Sequence, residues 1–73
     1  MSKMLLFRRR DDRVHPDAPG DWMGLVVERL TSRIGVTLIW NMPEDESRRH
    51  AKSFATFMRY EFVDEVKPAE VPS

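Results

Sequence analysis

The side chains best suited to acid–base or metal chemistry are two histidines, His15 and His50, in a chain that has no cysteine. A zinc site would need both histidines and a carboxylate from Asp11–Asp17, but no H-E-x-x-H or comparable spacing brings these groups together. The sequence also lacks a G-x-S-x-G nucleophile elbow and a glycine-rich phosphate loop. These patterns predict a non-enzymatic protein with no metal, no cofactor and no small-molecule substrate.

Clustered basic side chains indicate a second chemistry, the binding of phosphate groups. Residues 1–13 carry five basic and two acidic side chains, whereas the remaining sixty residues carry seven and ten. A second basic group lies on the predicted C-terminal helix, and the two groups together could form a nucleic-acid-binding surface. Nucleic-acid binding is therefore the alternative function. Its candidate residues are Arg8, Arg9, Arg10, Arg48, Arg49, Lys52 and Arg59.

Length and charge limit the classes of protein that need to be considered. The chain has 73 residues, of which 33% are charged and 41% hydrophobic, and its 12 basic side chains balance its 12 acidic ones. Net neutrality argues against a strongly basic nucleic-acid coat, and the lack of cysteine excludes a disulfide scaffold. The apolar run Met4–Phe7 is too short for an export signal or a membrane span, so we expect a cytoplasmic protein without a membrane partner.

The first two segments are assigned from their composition. Lys3–Arg10 is too short for a helix but has the length and the apolar start of a strand. Asp11–Asp21 contains two X–Pro steps and a glycine, which predict a loop. This loop is the longest irregular stretch of the predicted domain, and loops of such length are commonly functional or mobile.

The segment Trp22–Met42 has two interpretations. As a hairpin, Trp22–Thr31 and Val36–Asn41 are strands joined by a turn, which their β-branched residues favour. As a helix, Asp21 caps an apolar stripe with helical spacing that stops at Gly35. We favour the hairpin, which predicts an α+β fold in the order β-β-β-α: a small three-stranded antiparallel sheet packed against one long C-terminal helix. The alternative order is β-α-β-α.

The last predicted element is a helix that spans at most Pro43–Val66. Its proline and the acidic residues Glu44–Glu46 suit a first turn, and Pro68 prevents continuation. Residues 1–66 are thus predicted to form one domain, and residues 67–73 a flexible tail. Acidic and basic side chains lie on opposite flanks of this helix, which is also the ordinary pattern of a solvated helix.

The predicted sheet has more apolar surface than one helix can cover. Alternation leaves neither face of the three strands polar, so an isolated copy would expose an apolar patch. Large aromatic residues are enriched at the centres of interfaces. We therefore expect a protein-binding module that acts as an accessory subunit, regulator or inhibitor of a larger protein or complex, with homodimerisation as a variant. The predicted partner-binding residues are Arg8, Arg9, Arg10, Arg13, Trp22, Phe57 and Tyr60.

Overall fold

The structure is a computed structural model that describes residues 2–66; the predicted tail lies outside this range. The described chain is α+β, as predicted, and residues 22–40 form the predicted hairpin, so the helical interpretation of this segment is wrong. The elements are strands β1 (Lys3–Arg9), β2 (Trp22–Glu28) and β3 (Ile34–Trp40), helix α1 (Glu44–Met58) and strand β4 (Glu61–Asp64).

The described strands form one mixed sheet in the order β3-β2-β1-β4. β1 and β3 both pair antiparallel with β2, as the three-stranded prediction requires, while β4 runs parallel to β1. The prediction of three strands and a C-terminal helix is therefore incomplete. β3 and β4 run in the same direction, and two such strands need a long connection that returns across the sheet. α1 provides this crossover.

α1 ends well before its predicted limit. Arg59 adopts a left-handed φ of 62°, and the N–H of Tyr60 donates to the carbonyl of Ala55 at 2.8 Å. This arrangement closes the last turn and releases the chain into β4. Helical spacing misassigned this segment because Phe62 contacts the core from β4 just as it would from a longer helix.

The core lies between α1 and the face of the sheet that it covers. Two buried alanines let α1 approach the sheet, and Gly24 leaves room for the ring of Trp40, which would lie 2.8 Å from a Cβ at this position. Phe7 is the largest fully buried side chain and stacks on Trp22 with ring centroids 5.7 Å apart. The buried core cluster consists of Leu5, Phe7, Trp22, Val26, Ala51 and Ala55.

The other face of the sheet is also apolar, and no helix within residues 2–66 covers it. Met23 and Leu25 of β2 are nevertheless buried there, since each lies between residues of β1 and β3. Leu6 and Ile39, their neighbours on those strands, are half-buried. The most exposed of the large apolar side chains are Phe57 of α1, Leu30 of the turn between β2 and β3, and Val14 of the loop between β1 and β2.

Candidate functional site

Most of the large apolar side chains that remain exposed lie toward one end of the sheet. Ile34 at the start of β3 pairs with Val27 of β2, which pairs with Met4 of β1, which in turn pairs with Glu61 at the start of β4. These four residues mark one end of the sheet. Because α1 ends only three residues before Glu61, its last turn lies near this end of the sheet. Val14, in the loop between β1 and β2, lies at the other end of the sheet. The exposed apolar residues toward this end of the sheet are Leu30, Ile34, Val36, Phe57 and Met58.

One flank of α1 is turned away from β4, as contacts on its opposite flank show. Arg48 donates a hydrogen bond to Asp64 of β4. The Nζ atom of Lys52 lies 5.8 Å from the centroid of the Phe62 ring, also in β4. Phe57 lies about 180° around the helix from Arg48, on the flank away from β4. It is 83% exposed.

The free side of β3 extends beyond the cover of the helix. α1 packs against β4, β1 and β2, whereas β3 is the outermost strand of the sheet. Val36 is consequently 48% exposed and Ile34 57% exposed, although both belong to a strand. We refer to the free edge of β3, Ile34–Trp40, together with the flank of α1 that carries Phe57, as the β3 border.

The edge of β3 lacks the usual protection against pairing with another chain. Its seven residues, IGVTLIW, include no charge and no proline. Lysine, proline, inward-pointing charge or a very short length are the common means of blocking edge-to-edge association. A bulge at Gly35 shifts the register between Val26 and Val27 of β2. It is confined to the start of β3 and leaves Val36–Trp40 regular.

The opposite edge of the sheet is protected. β4 has only four residues and begins and ends with an acid, Glu61 and Asp64. Arg29 donates to both carboxylate oxygens of Glu61, at 2.7 and 3.0 Å, and Arg48 donates to Asp64. Charged side chains on a short strand discourage the addition of another strand. The two edges of the sheet therefore differ in their capacity to bind a polypeptide.

A depression of about 430 Å³ adjoins the start of the β3 border. Its lining combines an apolar floor with side chains of both charge signs, a mixture that suits a polypeptide better than a polyanion. The lining residues are Lys3, Val26, Glu28, Arg33, Ile34 and Gly35.

The three aromatic residues predicted as anchors differ in how far they are buried. Trp22 is buried in the core against Phe7, which corrects its prediction as a docking residue. Tyr60 is half-buried and packs edge-on against Phe54, with ring centroids 6.1 Å apart. Phe57 alone among the three is strongly exposed.

Two of the N-terminal arginines are held by contacts within the sheet. Arg8 donates from Nε to Glu65 at 2.7 Å. The guanidinium of Arg9 lies 5.3 Å from the centroid of Trp22, at cation–π distance. Both belong to β1, toward the end of the sheet away from Phe57, so the structure does not bring the predicted arginines and the exposed aromatic residue into one site.

The other two arginines of this cluster organise the loop that follows β1. Arg10 donates to the carbonyl of Ala18 and pairs with Asp12 at 2.8 Å. The backbone N–H of Arg13 donates to Asp11 at 3.0 Å and lowers the pKa of that carboxyl. These contacts add to the backbone hydrogen bonds of the loop, such as that from the N–H of His15 to the carbonyl of Asp11 at 2.8 Å, and help to hold its path.

The basic residues predicted for nucleic-acid binding are also largely engaged. Arg48 pairs with Glu44 at 2.9 Å and with Asp64, and its guanidinium lies 5.2 Å from the centroid of Phe7. The hydrogen bond to Asp64, followed by that to Glu44, raises the pKa of Arg48. Its side chain is only 11% exposed. It is therefore a structural residue that joins α1, β4 and the core.

Comparison of the chain with protein-family models, curated proteins and solved structures found no match. The function is thus inferred from the surface itself. Within residues 2–66, no three acidic or histidine side chains are grouped so that they could hold a metal ion. In the same range, α1 is neither long enough nor apolar enough to cross a bilayer.

The residues that sequence reasoning missed are Ile34 and Val36. Both were assigned to the hairpin region, but not to a binding surface. A signal was present, since the run IGVTLIW is uncharged and rich in β-branched residues over its whole length. Whether such a strand is central or at an edge depends on the pairing order of the sheet, which the strand itself does not specify.

Proposed function

We propose that this protein is a non-enzymatic protein-binding module, an accessory subunit, regulator or inhibitor of a larger protein, and that the β3 border is its docking surface. The observations that carry the proposal are the 83% exposure of Phe57, on the flank of α1 away from β4, and the uncharged edge of β3, with which no second strand within residues 2–66 pairs on its outer side. An exposed aromatic residue and a half-exposed aliphatic strand match the apolar centre of protein interfaces.

Burying about 400 Å² of apolar surface at this border would contribute on the order of 10 kcal/mol before the costs of association. The depression of about 430 Å³ beside Ile34 adds a concave feature that a partner side chain could enter. Lys3, Glu28 and Arg33 around it would provide a polar rim, as interfaces commonly have.

Nucleic-acid binding has less support. Arg8, Arg10, Arg13 and Arg48 each pair with a carboxylate of the same molecule. Each would have to give up that pairing to neutralise a phosphate. The net charge of +0 also removes the long-range attraction that basic proteins exert on nucleic acid.

The substitution Phe57→Lys tests the proposal. It places a charge at the centre of the docking surface, and we expect retention of the bound partner to fall by about tenfold or more, as for an interface hot spot. The measurement is affinity capture from a lysate of the source cells with the full tagged chain, quantified by mass spectrometry. The matched control is Val14→Lys, because Val14 is 64% exposed, lies in the loop after β1, and gains the same charge.

Two outcomes would contradict the proposal. One is that the same proteins are retained equally by wild type, Phe57→Lys and Val14→Lys. The other is that the captured material is nucleic acid whose retention falls by orders of magnitude between low and moderate salt, since counterion release has that signature whereas an apolar interface responds little.

A further inference from the structure

We infer that the free edge of β3 is occupied by β3 of a second copy of this chain, paired antiparallel about a two-fold axis. The inference rests on the proposed function, because it names one occupant of the β3 border. The larger partner would then bind beside the joined edges, where Phe57 of each copy remains exposed.

Symmetry determines the arrangement of such a pair. Two identical strands that run antiparallel are related by an axis perpendicular to the sheet, so residues directly opposite each other point to the same face. Both helices then lie on one face of a continuous eight-stranded sheet, twice the four strands of each copy. Val36 and Leu38, which α1 leaves partly exposed, would be covered by the same residues of the second copy.

The β4 edge of another copy would be a poor partner for β3. Pairing of β3 with β4 of another copy would be heterologous, and repetition of that contact would build an open filament. β4 is short, and its end residues Glu61 and Asp64 are held by arginines of their own molecule. Pairing of β3 with itself uses the unprotected edge on both copies and closes at two subunits.

The side chains of β3 are complementary to themselves when the axis passes at Thr37, the middle of the strand. This register pairs residues 35–39 of the two copies and sets Gly35, which has no side chain, against a bulky residue. Across the axis it places Gly35 opposite Ile39 and Val36 opposite Leu38 of the second copy.

Charge at the two ends of β3 is complementary as well. Arg33 precedes the strand, and Glu46 lies in the acidic first turn of α1, which follows the strand's other end. Neither has an ion-pair partner among the residues that the structure describes, whereas five other arginines do. Antiparallel pairing brings Arg33 of each copy to the acidic end of the other. A net charge of +0 leaves no overall repulsion between copies.

Sedimentation equilibrium of the full chain tests whether two copies associate. We expect a species of twice the 8.6 kDa chain mass to dominate above about 10 µM. Val36→Lys should raise the dissociation constant by about tenfold or more, because it puts like charges near the axis on an edge that must pair. Val14→Lys, with the same change of residue and charge outside β3, should leave the dissociation constant unchanged.

Cross-linking tests the orientation and exploits the absence of cysteine from the chain. In Thr37→Cys the two introduced thiols lie across the axis within about 6 Å of each other, so a short bis-maleimide should link the copies. In Ile34→Cys the thiols are separated by six residue steps along the strand, about 20 Å, and should not be linked. Linkage of both variants would indicate parallel pairing and overturn the inference.

The inference and the proposed function fail in different ways. A chain that stays monomeric up to about 1 mM, or a dimer that Val36→Lys and Val14→Lys affect equally, overturns pairing through β3. Neither result alters the expected loss of partner capture in Phe57→Lys. Conversely, a dimer with the expected cross-links and unchanged capture by Phe57→Lys supports pairing and contradicts the proposed function.

Discussion

Replacing Phe7 by alanine is expected to lower the free energy of unfolding by about 3–5 kcal/mol, the range for a large aromatic residue removed from a core. Phe7 is fully buried and its ring contacts Trp22, Trp40 and Phe62, with centroid distances of 5.7, 6.2 and 6.3 Å. A domain of this length has a total stability of the same order. The variant would therefore retain little stability at 25 °C.

Urea denaturation monitored by tryptophan fluorescence measures this loss, since both tryptophans adjoin the cavity that the substitution creates. The control is Phe57→Ala, the same chemical change at an exposed position, for which a shift within about 0.5 kcal/mol is expected. Similar losses for the two variants would show that Phe57 is packed as tightly as Phe7, and would remove the basis of the β3 border.

Arg48→Met is expected to lower the free energy of unfolding by about 2–4 kcal/mol, because it takes a cation away from partly buried carboxylates. Arg48 joins Glu44 and Asp64, and the Asp64 side chain is only 18% exposed. These acids raise the pKa of Arg48, so with both carboxylates ionised its stabilising effect is fully present at pH 7 and is lost through its own titration only in strongly alkaline solution, as the pH rises through the raised pKa. At pH 7 the substitution therefore removes the full contribution.

The control for this variant is Arg49→Met, because Arg49 is the exposed neighbour on the same helix. It should change stability by no more than about 0.5 kcal/mol. A double variant, Arg48→Met with Asp64→Asn, should regain part of the loss, since it removes the carboxylate charge that the first substitution leaves uncompensated. Equal stability of Arg48→Met and wild type would contradict the structural role of Arg48.

Loss of Arg48 also bears on the interpretation of nucleic-acid binding. An Arg48 variant that bound nucleic acid less well would be unfolded to a larger extent, and its weaker binding would not identify a phosphate contact. Arg49 and Arg59 are exposed and distinguish the two effects, because their substitution alters surface charge without disturbing the core.

The proposed surfaces divide the β3 border into two parts with different physical properties. The strand edge offers a regular array of main-chain hydrogen-bonding groups, with which any extended chain can pair. When the partner is an identical strand, the unprotected edges of both copies are paired at once. Phe57 offers an apolar side chain, which depends on the shape of a partner for its contribution. Substitution of Val36 and Phe57 by lysine separates these contributions.

Local sequence patterns alone determined much of the fold. β-branched residues predicted strands at Trp22–Thr31 and Val36–Asn41, which the structure has at Trp22–Glu28 and Ile34–Trp40. The acidic residues after Pro43 predicted the start of α1. These elements were identifiable because their signals act over a few residues. β4 was missed because Glu61–Asp64 is short and Phe62 also fits a helical stripe.

Only the tertiary structure decided the order of the sheet, and with it the candidate site. Arg8 meets Glu65 and Arg29 meets Glu61 across separations of 57 and 32 residues, so no local pattern could show that these arginines are paired. The crossover of α1 to β4 covers β1 and β2 and leaves β3 at the margin, which exposes Val36 and buries Trp22. Residue type and spacing specify which segments are strands, whereas exposure of a strand depends on its neighbours in space.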